Sequence, residues 1–158
     1  ADYTITVDNE ATKYIGLTIE WDYDSGKVHI HMPGYLEKAM TRFKQKTPHK
    51  VQNTPHRHIE VKYGAKKPYV DEEVEPPPLS KEDANYVLAV SGTRLYYGRA
   101  VDPTILPALS SIGTEQAKPT EKTKEKVKQL LDYCATQEEA IISYTAQIMF
   151  LFIHCTAV

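Results

Sequence analysis

Cysteine is scarce in this chain: Cys134 and Cys155 are the only two among 158 residues. Two are too few for a disulfide framework, and their separation matches no zinc-ligand spacing. Both lie in apolar company, which reads as buried thiols. That points to a reducing, intracellular compartment (cytoplasm or nucleus) rather than an oxidising one. Long apolar runs are lacking too. None approaches the roughly 20 residues of a membrane span, and no signal peptide is visible after Ala1. No membrane partner is expected. A nucleophile set is equally missing: Ser-His-Asp and Cys-His arrangements cannot be assembled without inventing contacts. Histidine does cluster, as His29, His31, His49, His56 and His58. His29 and His31 share one face of a strand, but no Cys or carboxylate stands at a matching spacing, so no metal is expected.

The residues present are those of a globular domain, 41% hydrophobic and 25% charged. The length suits one ordinary core or two small units sharing a surface. A formal net charge of −2 hides an asymmetry. From Lys13 to Tyr69 eleven Lys/Arg stand against five Asp/Glu, and from Val70 onward eight stand against thirteen. A basic half joined to an acidic one hints at a polyanion partner for the first, with solvated surface as the plainer reading.

The most ordered stretch is KYIGLTIEWDYDSGKVHIHMPGYLEKAMTRF, residues 13–43. Ile15, Leu17, Ile19 and Trp21 alternate with Gly16, Thr18 and Glu20, and Val28, Ile30 and Met32 alternate with Lys27, His29 and His31. Between them Asp22 to Gly26 supplies turn chemistry, so a hairpin is predicted. Pro33 opens a helix whose Leu36, Ala39, Met40 and Phe43 form one buried stripe. An earlier strand is expected over Tyr3–Val7, a start that suggests entry partway into a larger fold. Six of the ten prolines fall between Pro48 and Leu79, which reads as an extended or partly disordered connector.

Ser80 with Asp83 predicts a helix start, and Val87, Val90 and Leu95 its buried side. Asp102-Pro103 starts another helix, carrying Ile105, Leu106, Leu109 and Ile112, in which Pro107 should remove a hydrogen bond or force a bend. Pro119-Thr120 starts a third, with Val127, Leu130, Leu131 and Cys134 inside and Lys122, Lys124, Lys126 and Lys128 as its wet face. Ala140–Tyr144 reads as a short strand, Thr145 to Gln147 as a turn, and residues 148–154 as a strand buried on both faces. The end, like the start, reads as cut.

Four colinear pieces resemble one family, the reverse transcriptase–RNase H region of Ty1/copia-type retrotransposon polyproteins. YTITVDNEATKYIGLTIEWDY with GKVHIHMPGYLEKAMTRF is similar to the end of a palm, a primer-grip hairpin and a first thumb helix. SGTRLYYGRAVDPTILPALSSIGTEQAKPT resembles the family's helical segment, and KVKQLLDYCATQEEAIISY its helix, loop and strand leading into RNase H. The last piece, ending in IHCTAV, falls where the family writes Ser-Asp-Ala. The resemblance implies an α+β fold in four parts. Residues 1–47 hold the palm end, hairpin and thumb-like helix, and 48–79 the Pro-rich connector. Residues 80–136 form the helical thumb/connection-like segment, and 137–158 a truncated start of an RNase H-like β unit.

Catalysis is not expected. In the family the paired aspartates that hold Mg²⁺ lie upstream of the region matched here. Thr156 takes the RNase H carboxylate position, and a neutral hydroxyl cannot supply an anionic ligand. Mg²⁺ is expected only for the intact family enzyme. What remains is contact: Trp21, Tyr23 and Tyr35 as stacking surfaces, with Lys27, Lys38, Arg42 and Lys46 as phosphate partners. The expectation is a non-catalytic remnant that binds RNA, DNA or their hybrid. The alternative is a domesticated module that forms homo-oligomers or binds a host protein through an apolar tail or unpaired strand edges.

Overall fold

The computed structural model describes residues 7, 9–57, 76–137 and 139–146. The strands expected over 3–7 and 148–154, together with Cys155 and Thr156, lie outside them wholly or nearly so. Among the described residues the fold is α+β: a four-stranded antiparallel sheet, its strands side by side in chain order, with four α-helices.

Strands β1 (Lys13–Tyr14), β2 (Leu17–Asp22) and β3 (Lys27–His31) form two successive hairpins. The alternation read from Tyr14 to Trp21 is broken at Ile15-Gly16, where φ is 47° and 80°. Two positive φ values in a two-residue loop give the turn whose twist matches its strands. Ile15 is therefore an exposed turn residue and not an inward one. The second hairpin matches its prediction, with Ile19 opposite Ile30 and Trp21 opposite Val28. Its turn closes on Asp22, whose carboxylate accepts from the Ser25 amide at 3.0 Å and from the Ser25 hydroxyl. Those two bonds lower the Asp22 pKa.

Helix α1 (Tyr35–Arg42) buries Leu36 and Ala39 as its spacing requires, with Met40 and Phe43 half-buried against the core. Its start differs from expectation: Pro33 stands outside, and Gly34, at φ 70°, takes the cap position. The Gly34 amide donates to the Glu139 carboxylate at 2.9 and 3.2 Å. The helix ends at Lys44, φ 52°, whose N–H bonds the Thr41 carbonyl while Gln45 N–H bonds that of Met40. This is the double closure of a left-handed C-terminal cap, made here without glycine.

The chain then runs extended along α4 (Glu121–Thr136). Gln45 Nε2 donates to Asp132 at 2.6 Å, Gln52 N to Thr136 Oγ1 at 3.1 Å, and Gln137 Nε2 to the Gln52 carbonyl at 2.8 Å. Amide side chains thus hold the first part of the connector in place; residues 58–75 lie outside the described set.

Helix α2 (Lys81–Ala100) is capped by Ser80, which accepts from the Asp83 amide at 3.1 Å. Its buried stripe is Val87, Val90, Arg94, Tyr97 and Val101, while Leu95 is exposed. The spacing i, i+3, i+7, i+10, i+14 puts position 94 inside and position 95 out. Asp102 accepts from Thr104 N–H at 3.2 Å and opens a 3₁₀ turn, Pro103–Ile105. A new helix, α3 (Leu106–Glu115), begins directly after it, so Pro107 falls in a first turn, where its missing N–H costs nothing. The bend expected there does not arise. At Gly98 a Cβ would come within 3.0 Å of Ile105, so glycine permits the close approach of the α2 end to that turn.

Thr120 and Thr123 form the capping box of α4. Its lysines are not all wet. Lys124 reaches Asp83 of α2 at 2.7 Å, and Lys126 pairs with Glu115 of α3. Val87, Val90, Ile105, Ile112, Val127, Leu130 and Leu131, none more than 1% exposed, make the centre of the core. Burying each such side chain is worth about 1.5–3 kcal/mol. Strand β4 (Ile141–Thr145) returns from α4 to pair with β3, Ile142 opposite Ile30 and Tyr144 opposite Val28. The sheet turns Leu17, Ile30 and Met32 toward the helices.

Candidate nucleic-acid interface

The expected contact residues fall into three groups. Trp21 and Tyr23 sit at the tip of the second hairpin, 45% and 83% exposed. Their rings are near-parallel, 11° apart with centroids at 6.1 Å, and Trp21 Nε1 donates to the Ala11 carbonyl at 3.2 Å. Trp21 does not pack under α1. Lys27, also exposed, opens β3 opposite Asp22. Strand pairing adds a residue the sequence does not reveal: Tyr144, 56% exposed, lies two strands from Trp21 in the same row through Val28. Strand spacing sets the Trp21 and Tyr144 backbones about 10 Å apart. Only the β3–β4 register could have shown it.

Lys38, Arg42 and Lys46 form the second group, all exposed, and none forms an ion pair among the described residues. Lys38 and Arg42 are one helical turn apart on one side of α1. The Arg42 guanidinium lies 5.5 Å over the Phe43 ring, which limits its orientations. From Val28, level with Trp21, to Met32 before α1 is four residues of strand, about 13 Å. Helix α1 therefore starts from the end of β3 away from the aromatic tip, and Asp22 and Asp24 dilute the positive field at the tip.

Tyr35 makes the third group alone. It stacks on Tyr97 with centroids 5.6 Å apart, and its hydroxyl donates to the Thr93 carbonyl at 2.9 Å. Burial raises its pKa. The half-buried ring ties α1 to α2, with one face against Tyr97.

On the outer sheet face His29 Nδ1 lies 2.7 Å from Ser143 Oγ, and His31 Nε2 lies 3.0 Å from Glu20 Oε1. No group of three or more His, Cys, Asp or Glu that could hold a metal occurs among the described residues, and no described helix is long and apolar enough to cross a membrane.

Where α1 meets the end of α4 there is an open recess of about 280 Å³, lined among others by Leu36, Glu37, Met40, Cys134 and Ala135. Behind Met40 lies Arg94, fully buried, with Nη2 3.3 Å from Met40 Sδ and, among the described residues, no hydrogen-bond partner for Nε or Nη1. Sequence reading passed over Arg94. The signal that marks it is a charged residue in phase with Val87, Val90 and Tyr97. Comparison with protein-family models, curated proteins and solved structures gives no match for this chain.

Proposed function

We propose that the protein binds nucleic acid without catalysis, and that α1 with the segment after it is the contact surface. The observation that carries this reading is the exposed set Lys38, Arg42 and Lys46, without an ion pair among the described residues, on a support held firmly to the core. Helix α1 is anchored by Leu36, Ala39 and Tyr35, and the chain beyond it by Gln45 and Gln52. Cations fixed in this way can meet successive phosphates without first being ordered. Trp21, Tyr23 and Lys27, at the far end of β3, form a separate contact that stacks on bases. RNA, DNA or an RNA:DNA hybrid all present this chemistry, and the resemblance to the thumb of copia-type reverse transcriptases supports the hybrid. The reaction assigned to this chain is binding alone.

Neutralising all three cations (Lys38→Gln, Arg42→Gln, Lys46→Gln) is expected to weaken binding to a labelled hybrid uniformly across sequences. It should also reduce the slope of log affinity against log salt by up to about 3. An unchanged affinity and slope would refute the contact surface. The alternative, a retroelement-derived module that pairs with itself or a host protein, predicts a protein indifferent to nucleic acid and oligomeric by light scattering.

A further inference from the structure

Among the described residues Arg94 is the one fully buried cation. It is 0% exposed, and the hydrogen bond it makes among them is to the thioether of Met40, a weak acceptor. One turn earlier Ser91 Oγ is also buried, with no hydrogen-bond partner among the described residues. Leaving an ion inside a protein without a counter-ion is strongly unfavourable. Met40 and Cys134 belong to both environments: they line the recess and lie within reach of the guanidinium. Burial pushes the Cys134 thiol up to about 11, and the Arg94 charge acts in the opposite sense.

The recess has the character of a site for something small and half apolar. Leu36, Met40 and Ala135 give it aliphatic walls, and Thr47 and Gln137 stand as polar groups on its lining. Two carboxylates also line it. Glu139 is engaged by the Gly34 amide, whereas Glu37 remains exposed and weighs against multiply charged anions. Met40 is unbranched, with three rotatable bonds, and can turn aside at little cost. We propose that this recess takes a small aliphatic monocarboxylic acid, its carboxylate meeting Arg94 past Met40 and its chain lying on Leu36 and Ala135. The proposal does not rest on the nucleic-acid reading, although Glu37 and Thr47 adjoin Lys38 and Lys46 in the chain.

The test uses sodium butyrate as probe against sodium chloride at equal ionic strength, with inorganic phosphate as a third arm. At tenfold excess over its dissociation constant butyrate should raise the melting temperature by about 3–6 °C. Arg94→Leu should show no such rise, and phosphate should add nothing beyond chloride. Glu37→Gln, an exposed change that leaves the fold intact, should tighten butyrate binding several-fold. No rise in the wild type overturns the proposal, as does an equal rise in Arg94→Leu. A phosphate effect matching that of butyrate overturns the assignment to a monocarboxylic acid. If Arg94→Leu does not fold, the Arg94 Nε–H resonance of the wild-type protein decides: a butyrate-dependent displacement supports the site, and a fixed resonance overturns it.

Discussion

A guanidinium and a thiol share the interior near Met40, and burial acts on each differently. Arg94 Nε and Nη1 have no hydrogen-bond partner among the described residues, and a buried charge left so is costly. In chloride alone, Arg94→Leu is expected to raise stability by about 1–3 kcal/mol, read as the denaturant midpoint at constant slope. Cys134 can respond by staying neutral. Its folded pKa, about 11, lies above the ordinary 9.0, so above pH 9 the unfolded chain releases a proton that the folded one keeps. Stability should therefore be intact below pH 9 and fall by about 2–3 kcal/mol as pH rises to 11, at about 1.4 kcal/mol per unit. Tyr35, Tyr86 and Tyr97, each raised by burial, add to that alkaline loss. Urea midpoints across pH 8–11 check it, and Cys134→Ala should shrink the loss.

At the scale of elements, the caps were the most legible features of the chain. Ser80 with Asp83, Asp102 with Pro103, and Thr120 each start a helix where local chemistry says they must. A cap satisfies amides within three residues of itself and needs no distant partner. Thr123 goes further than the sequence shows. Its hydroxyl accepts from the Thr120 amide at 3.0 Å and donates to Glu115 at 2.8 Å, joining the start of α4 to the end of α3. Because Thr123 is fully buried, Thr123→Val leaves two polar groups without their partner. It should cost about 1–3 kcal/mol, seen as a lower melting temperature with an unchanged circular dichroism spectrum at 20 °C. Elements that depend on a long-range contact were misjudged. Lys124 and Lys126 look like solvated surface in the sequence, and Pro107 looks like a mid-helix break, because neither the partner helices nor the intervening 3₁₀ turn is visible locally.

At the scale of the whole molecule, β4 decides how the parts cooperate. It follows α4 in the chain yet pairs with β3, laid down more than 100 residues earlier, so the sheet cannot open without releasing the end of the helical bundle. Glu139 adds a second tie, to the start of α1. The hairpin and the helices should therefore unfold together. Trp21, the sole tryptophan, reports the hairpin by fluorescence, and ellipticity at 222 nm reports the helices. Coincident midpoints are expected, and separated ones would show that β4 fails to couple them.

The amino-acid sequence by itself determined the hairpin over residues 17–31, the caps at Ser80, Asp102 and Thr120, and the apolar stripes of α1 and α4. Each follows from periodicity and hydrogen-bonding chemistry a few residues long. It also marked Trp21, Tyr23, Lys38, Arg42 and Lys46 as surface able to make contacts. Tertiary structure alone decided which of these residues stand together. It half-buried Tyr35 against Tyr97 and started α1 from the end of β3 away from the aromatic tip. It also brought Tyr144 into line with Trp21 and enclosed Arg94 behind the recess. Register and packing between distant elements, not local pattern, set those positions, and a charge in phase with valines shows its consequence only once the facing helices are in place.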